Sequence, residues 1–241
     1  MLVAAAVCPC PPLLVPEVAA GAAPELDTAR TAASDALAVA AAARADLLVV
    51  VGPAGDTAPG PYPAGSAGTF RGFGVPVDVA LPGPKAPTAG PAAGPALPVS
   101  LAVAAWLLDR VGWAGPAPTA LAVADGLATE ACLEAGRELA AAAPRVALLV
   151  MGDGSACRTL KAPGYLDERA AGFDAAAAGA LAAADPSALA ALDPALAREL
   201  SAAGRAPWQV LAGAGQGAGL AGRLLYDEAP YGVGYLVGTW S

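Results

Sequence analysis

Residues 1–14 read MLVAAAVCPCPPLL, an unbroken apolar run from Leu2 to Val7 that ends in Cys8-Pro9-Cys10-Pro11-Pro12. An apolar run of that length fits a strand buried on both faces. Proline offers no N–H to a neighbouring strand, so the prolines end the ladder. Strands buried on both faces belong to parallel sheets covered by helices. Ligands of such sheets bind just beyond the carboxyl ends of the strands. Cys8 and Cys10 therefore stand where side chains meet a ligand.

The same pattern recurs twice. Asp46 to Gly52 (DLLVVVG) and Arg145 to Met151 (RVALLVM) are further buried strands. Glu25 to Ala45 between the first two is rich in alanine, acidic at its start and closed by arginine, which predicts a helix and a βαβ unit. Pro53 to Gly74, rich in Gly and Pro, is a long loop carrying Tyr62, Phe70 and Phe73, and Pro76 to Leu81 alternates like a short strand. Pro82 to Ala96 lacks periodicity and reads as a connection. Leu97 to Val111 reads as a helix, Thr119 to Ala124 as a strand and Leu127 to Ala143 as a helix with Glu130, Glu134 and Glu138 on a solvated face.

Beyond Met151, a helix is expected over Asp167 to Ala183. Asp185-Pro186 and Asp193-Pro194 are each an N-cap followed by proline at the first helical position. Trp208 to Ala212 is helical up to a glycine-rich break, Gly213 to Gly222. Arg223 to Tyr226 and Gly234 to Val237 pair as antiparallel strands. The expected fold is a single α/β domain over residues 1–241. It has three layers, α/β/α, with a mostly parallel central sheet and a C-terminal antiparallel hairpin.

Composition narrows the function. With 241 residues the chain buries roughly 70–75% of its unfolded surface and needs no disulfide staples. The net charge of −8 is opposite to the basic footprint that nucleic acid or an anionic membrane requires. The apolar N-terminus has no Lys or Arg before it, and no apolar run reaches membrane-spanning length. Four cysteines, two of them one residue apart, do not make a secreted disulfide framework, so a cytoplasmic protein with reduced thiols is expected. A homo-oligomer is compatible with these features. Histidine is absent altogether.

Local motifs add little. Gly217-x-Gly219-x-x-Gly222 matches a dinucleotide pattern, but no strand precedes it. Gly52 to Thr57 follows a strand yet lacks the lysine of a phosphate-binding loop. Cys8-Pro9-Cys10 offers thiolates to a soft metal, with Cys157 a third donor, or else holds small buried hydrophobes.

Several blocks together resemble an actinobacterial branch of the class III extradiol ring-cleavage dioxygenases. That superfamily includes the catalytic subunit of protocatechuate 4,5-dioxygenase and the Memo proteins. The blocks are Ala5 to Leu14, Leu47 to Gly52, Met151-Gly152-Asp153-Gly154-Ser155, Lys161 to Asp167, Ala206 to Ala214 and Tyr226 to Trp240, spanning nearly the whole chain. The resemblance implies an Fe(II) site of two histidines and a carboxylate, with a further histidine moving protons. This chain departs from it at each position. Cys10 stands where the first ligand histidine belongs, Gly52 to Thr57 supply no second, and Ala156 stands where the proton shuttle follows a Gly-Asp-x-Ser block. No acid lies within Gly204 to Pro207, where the carboxylate ligand belongs, and Glu199 is the nearest. The expectation is a retained scaffold that binds a small molecule without the family's iron chemistry. A divergent metalloenzyme using Cys10, Cys8 or Cys157 with carboxylates is an alternative, and a protein-interaction module using the 53–74 loop and the acidic surface is another.

Within that reading Asp153 and Ser155 are the candidate catalytic residues, with an aspartate in a turn or helix cap as the structural counterpart. Lys161, Tyr165, Trp208 and Tyr231 are the candidate ligand-binding residues. Aromatics in an alanine-rich chain also supply core area, which is the competing use of Trp208 and the tyrosines. Glu228 beside Asp227 is either a solvated hairpin tip or a carboxylate turned toward the pocket.

Overall fold

The computed structural model describes residues 1–83 and 95–241. Most of the Pro82–Ala96 connection lies outside the described residues. Nine strands are described: β1 (Leu2–Cys8), β2 (Leu47–Pro53), β3 (Gly60–Tyr62), β4 (Ala67–Thr69), β5 (Asp78–Ala80), β6 (Thr119–Val123), β7 (Val146–Met151), β8 (Gly222–Glu228) and β9 (Tyr235–Trp240). The helices are α1 (Pro16–Ala19), α2 (Asp27–Ala42), α3 (Val99–Arg110), α4 (Thr129–Ala141), α5 (Ala170–Ala183), α6 (Pro186–Ala190), α7 (Pro194–Glu199) and α8 (Arg205–Gly215). Seven strands form one sheet in the order β3-β6-β2-β7-β1-β9-β8. The central four, β6, β2, β7 and β1, are parallel. β9 runs antiparallel to β1, and β8 antiparallel to β9, which makes the expected C-terminal hairpin. β3 adds an antiparallel strand at the opposite edge.

The two faces of the sheet follow from the period of two along each strand. Ala6, Cys8, Val50, Leu149 and Met151 pack on one face with Leu37 of α2 and Leu101 and Leu108 of α3. Ala5, Val7, Val49, Val51, Leu148 and Val150 pack on the other with Phe173 of α5 and Trp208 and Leu211 of α8. Alanine-rich helices bury little area per residue, so Trp208 and Trp240, both fully buried, each supply the 150–250 Å² typical of an aromatic side chain. No described helix is long and apolar enough to cross a membrane.

β1 and β2 are parallel but not neighbours, because β7 lies between them. All six residues of β7 are buried, so both of its faces gain most at the centre of the sheet. The connections leave on opposite faces. α2 and α3, which follow β1 and β2, share one core, whereas α4 and α5, which follow β6 and β7, belong to the other. Adjacent strands β1 and β7 thus send their chains to opposite sides, which makes their carboxyl ends the topological switch point of the sheet.

The long loop after β2 carries structure that its composition does not announce. β3 and β4 form there, β4 pairing with β5, which is the short strand expected over Pro76 to Leu81, and Phe70 is fully buried. Both expected N-caps are present: the Asp185 carboxylate accepts the Ser187 and Ala188 amides, and the Asp193 carboxylate those of Ala195 and Leu196. The Gly217-to-Gly222 run joins the end of α8 to β8, the reverse of the strand–turn–helix order of a dinucleotide site.

α4 and α8 touch backbone to backbone. A Cβ on Gly136 of α4 would sit 2.0 Å from the Val210 carbonyl oxygen, and one on Gly213 of α8 would sit 2.1 Å from that of Leu133. Only glycine fits at either position. At the start of α8, Gly204 is pressed against Gly152, where an added Cβ would lie 2.4 Å from the Gly204 Cα. This contact brings the end of β7 onto the beginning of α8.

Candidate functional site

Two aspartates stand at the carboxyl ends of parallel strands. Asp153 follows β7, and its Oδ1 accepts the Cys10 amide at 2.8 Å, closing the gap between the ends of β1 and β7. The Asp153 carbonyl accepts the Gly204 amide at 2.7 Å, which ties the same turn to α8. Loss of hydration among these walls pushes the Asp153 carboxyl up to about 7, and the Cys10 amide only partly offsets it. Asp153 is half-buried, so it keeps some contact with solvent. Asp125, after β6, is also raised, first by burial, with Arg205 and the Gly55 amide acting against it.

Burial pushes the Cys10 thiol up, and the nearby charges of Asp153 and Asp125 raise it further. Tyr235, buried on β9, is raised by burial and then by the Asp153 charge. The ends of β1, β7 and β9 therefore gather groups that hold their protons at neutral pH, with Asp153 poised between its two forms.

The expected site residues divide into groups. Asp153 and Cys10 meet. Ser155 is adjacent in sequence but turned away: it is fully buried, its Oγ donates to Asp174 Oδ2 at 2.8 Å and its amide to Asp174 Oδ1 at 2.7 Å. Arg158 completes this cluster with a 2.9 Å ion pair to Asp174. Ser155 thus anchors the turn after β7 to α5.

Cys8 is fully buried in the core shared with α2 and α3, and its thiol is pushed up to about 12 by burial. Cys157 packs in the core on the opposite face of the sheet, with its thiol directed at the Gly164 and Leu200 carbonyls. The sheet separates the two.

Trp208 is fully buried, its ring lying against Gly204. Lys161 and Tyr231 line one shallow depression on the surface, and Tyr165 is 63% exposed on the loop beyond it. Glu228 is exposed at the end of β8, 3.4 Å from the Tyr226 hydroxyl. Glu134 pairs with Arg137 on the solvated face of α4.

The donors present do not suit the iron implied by the resemblance. The chain has no imidazole, and Cys8 and Cys157 face opposite cores. Among the described residues no three of His, Cys, Asp or Glu are grouped to hold a metal ion.

Sequence reasoning passed over Arg205 and Gln209. Arg205 is only 2% exposed at the start of α8. Its Nη1 donates to the Leu127 carbonyl at 2.6 Å and to Gln209 Oε1 at 3.1 Å, and its Nη2 donates to the Asp125 carbonyl. Gln209 Nε2 donates to the Ala190 and Leu192 carbonyls at 3.1 and 3.0 Å. An arginine and a glutamine four residues apart in an otherwise apolar helix were the available signal, since buried polar groups require partners.

No family model matches the chain, and no curated protein matches it. Among solved structures it is similar to an uncharacterized protein of Escherichia coli, with a TM-score of 0.54 and 13% identity over 99% of this chain and 100% of that one. At that identity the likeness concerns the fold, an α/β architecture common to both along their whole length.

Proposed function

We propose that the chain is a small-molecule-binding protein on a scaffold that resembles the class III extradiol dioxygenases, with its site at the carboxyl ends of β1 and β7. The observation that carries this reading is the Asp153 carboxyl. It is held by the Cys10 amide at 2.8 Å, partly exposed, and shifted to about 7 at the switch point of the sheet. A carboxylate with that surrounding accepts a hydrogen bond from a ligand hydroxyl far better than one in water, because fewer waters compete. A chain without histidine lacks the family's two imidazole ligands and its proton shuttle, so the reading is binding without iron-dependent ring cleavage. Four free, buried thiols support a cytoplasmic setting.

Catechol and phenol test the proposal by thermal shift at pH 6 and pH 8. A ligand that prefers the native state raises the melting temperature. The expected result is a rise with catechol that is larger at pH 8, where Asp153 is ionised, and that disappears in Asp153→Asn. Equal melting temperatures with and without both compounds at both pH values would refute the reading.

A further inference from the structure

A groove of about 700 Å³ runs between the C-terminal half of α2 and the turn that joins α3 to β6. It lies at the amino ends of the strands and contains neither Asp153 nor Cys10. Its volume is within the range of small-ligand sites.

Trp113 forms one wall, and its own turn holds it there. Gly112, at φ +60, follows α3, and the Trp113 amide reaches back to the Leu108 carbonyl at 2.9 Å. This bond closes the helix end and fixes where the indole departs from it. The indole Nε1 donates to the Pro116 carbonyl at 3.0 Å. Gly115 packs on the ring so closely that a Cβ there would lie 2.6 Å from it. Trp113 is thus half-buried with its one polar atom already bonded, and what it adds to the groove is aromatic surface.

α2 forms the facing wall through Ser34, Ala38 and Ala41. Ser34 Oγ donates to the Arg30 carbonyl at 2.9 Å, so it too is engaged within the chain. Among the described residues Arg44 is the one charged residue in the wall. It is exposed and forms no ion pair there, although the chain as a whole is acidic. α2 does not need its charge, because Arg145 already caps that helix end. Its Nη2 donates to the Ala43 carbonyl at 2.6 Å and its Nε to the Arg44 carbonyl at 3.3 Å. Arg44 also stands at φ +48, just past the helix, where glycine is at ease and arginine is strained. The groove therefore offers an apolar surface, an aromatic ring and one uncommitted cation. That set selects a flat apolar guest with a single negative charge, since further polar groups would lose hydration without gaining partners.

We propose that this groove binds an aromatic monocarboxylate, its ring against Trp113 and its carboxylate on Arg44. The proposal does not rest on the Asp153 reading, since the two sites share no residue.

The test is titration of the full chain with naphthoate, naphthamide and octanoate at low salt, following the indole N–H resonances by NMR. Trp113→Phe assigns the Trp113 resonance. Naphthoate is expected to shift it saturably and to leave those of Trp208 and Trp240, buried in the opposite core, in place. Octanoate, with the same charge and no ring, is expected to bind about fivefold more weakly, the size of one aromatic pair. Arg44→Gln is expected to weaken naphthoate about threefold, the size of one exposed ion pair, and to leave naphthamide unchanged. Asp153→Asn is expected to leave naphthoate binding unchanged, which separates failure of this site from failure of the other. Overturning results are an unmoved Trp113 resonance, octanoate binding as tightly as naphthoate, or naphthoate binding that is indifferent to Arg44→Gln.

Discussion

Replacing Asp153 with asparagine is expected to stabilise the protein at pH 8 and to leave its stability nearly unchanged at pH 4. The native carboxyl titrates at about 7, against an ordinary 3.8. Between those values the native chain holds a proton that the unfolded chain releases. Stability therefore falls as pH rises through that window, and the loss is complete above pH 7. A shift of that size at 1.36 kcal/mol per unit amounts to roughly 4 kcal/mol, and partial exposure of the carboxyl lowers it to roughly 2–4 kcal/mol. Asparagine keeps an oxygen for the Cys10 amide and carries no charge, so Asp153→Asn escapes the loss. Urea unfolding at pH 4.5, 6 and 8 measures the difference directly. Asp167, held at about 2 by Arg169, titrates outside the window, and Asp125, raised like Asp153, is common to both proteins and cancels in the comparison. Identical pH dependence in the two proteins would refute the claim that burial raises Asp153.

Ser155→Ala is expected to cost about 1–3 kcal/mol in urea unfolding, because it leaves one oxygen of the buried Asp174 carboxylate short of a donor; a Ser155 engaged in chemistry instead would leave stability untouched. Gly213→Ala is expected to lower stability by about 2–3 kcal/mol or more, since its Cβ meets the Leu133 carbonyl at 2.1 Å, and thermal unfolding checks it. Cys8 and Cys10 are expected to resist iodoacetamide at pH 8 in the native state and to react only as fast as the chain unfolds, because thiols raised by burial hold little thiolate; mass mapping of the labelled sites reads this out. Asp185→Ala is expected to cost about 1 kcal/mol as a lost N-cap, visible as a lower melting temperature.

The elements legible in the sequence are those whose pattern is local. β1, β2 and β7 are continuous apolar runs, and the Asp-Pro caps of α6 and α7 act within four residues. β3 and β4 were hidden because each is three residues long and exists only through its partner: Gly60 and Pro61 of β3 carry almost no strand signal of their own, whereas β5 lies inside the alternating stretch Pro76 to Leu81. The insertion of β7 between β1 and β2 is likewise a property of the assembled sheet. At the site, Asp153 and Cys10 were legible because both end strands. Ser155 was read as part of the same group, yet its direction depends on Asp174, nineteen residues away. Arg205 was missed because most of its partners are backbone carbonyls, which leave no trace in residue identity, and only its spacing to Gln209 signalled a buried polar group.

The glycine contact between α4 and α8 also has a mechanical meaning. Where two helices meet through main-chain atoms, no side chain between them can change rotamer to let one slide past the other. α4 and α8 then behave as a single stiff strut, and the Gly204–Asp153 bond fastens that strut to the end of β7. The position of the turn after β7, and with it of Asp153, is thus set by main-chain contacts and not by side-chain packing that a substitution could loosen.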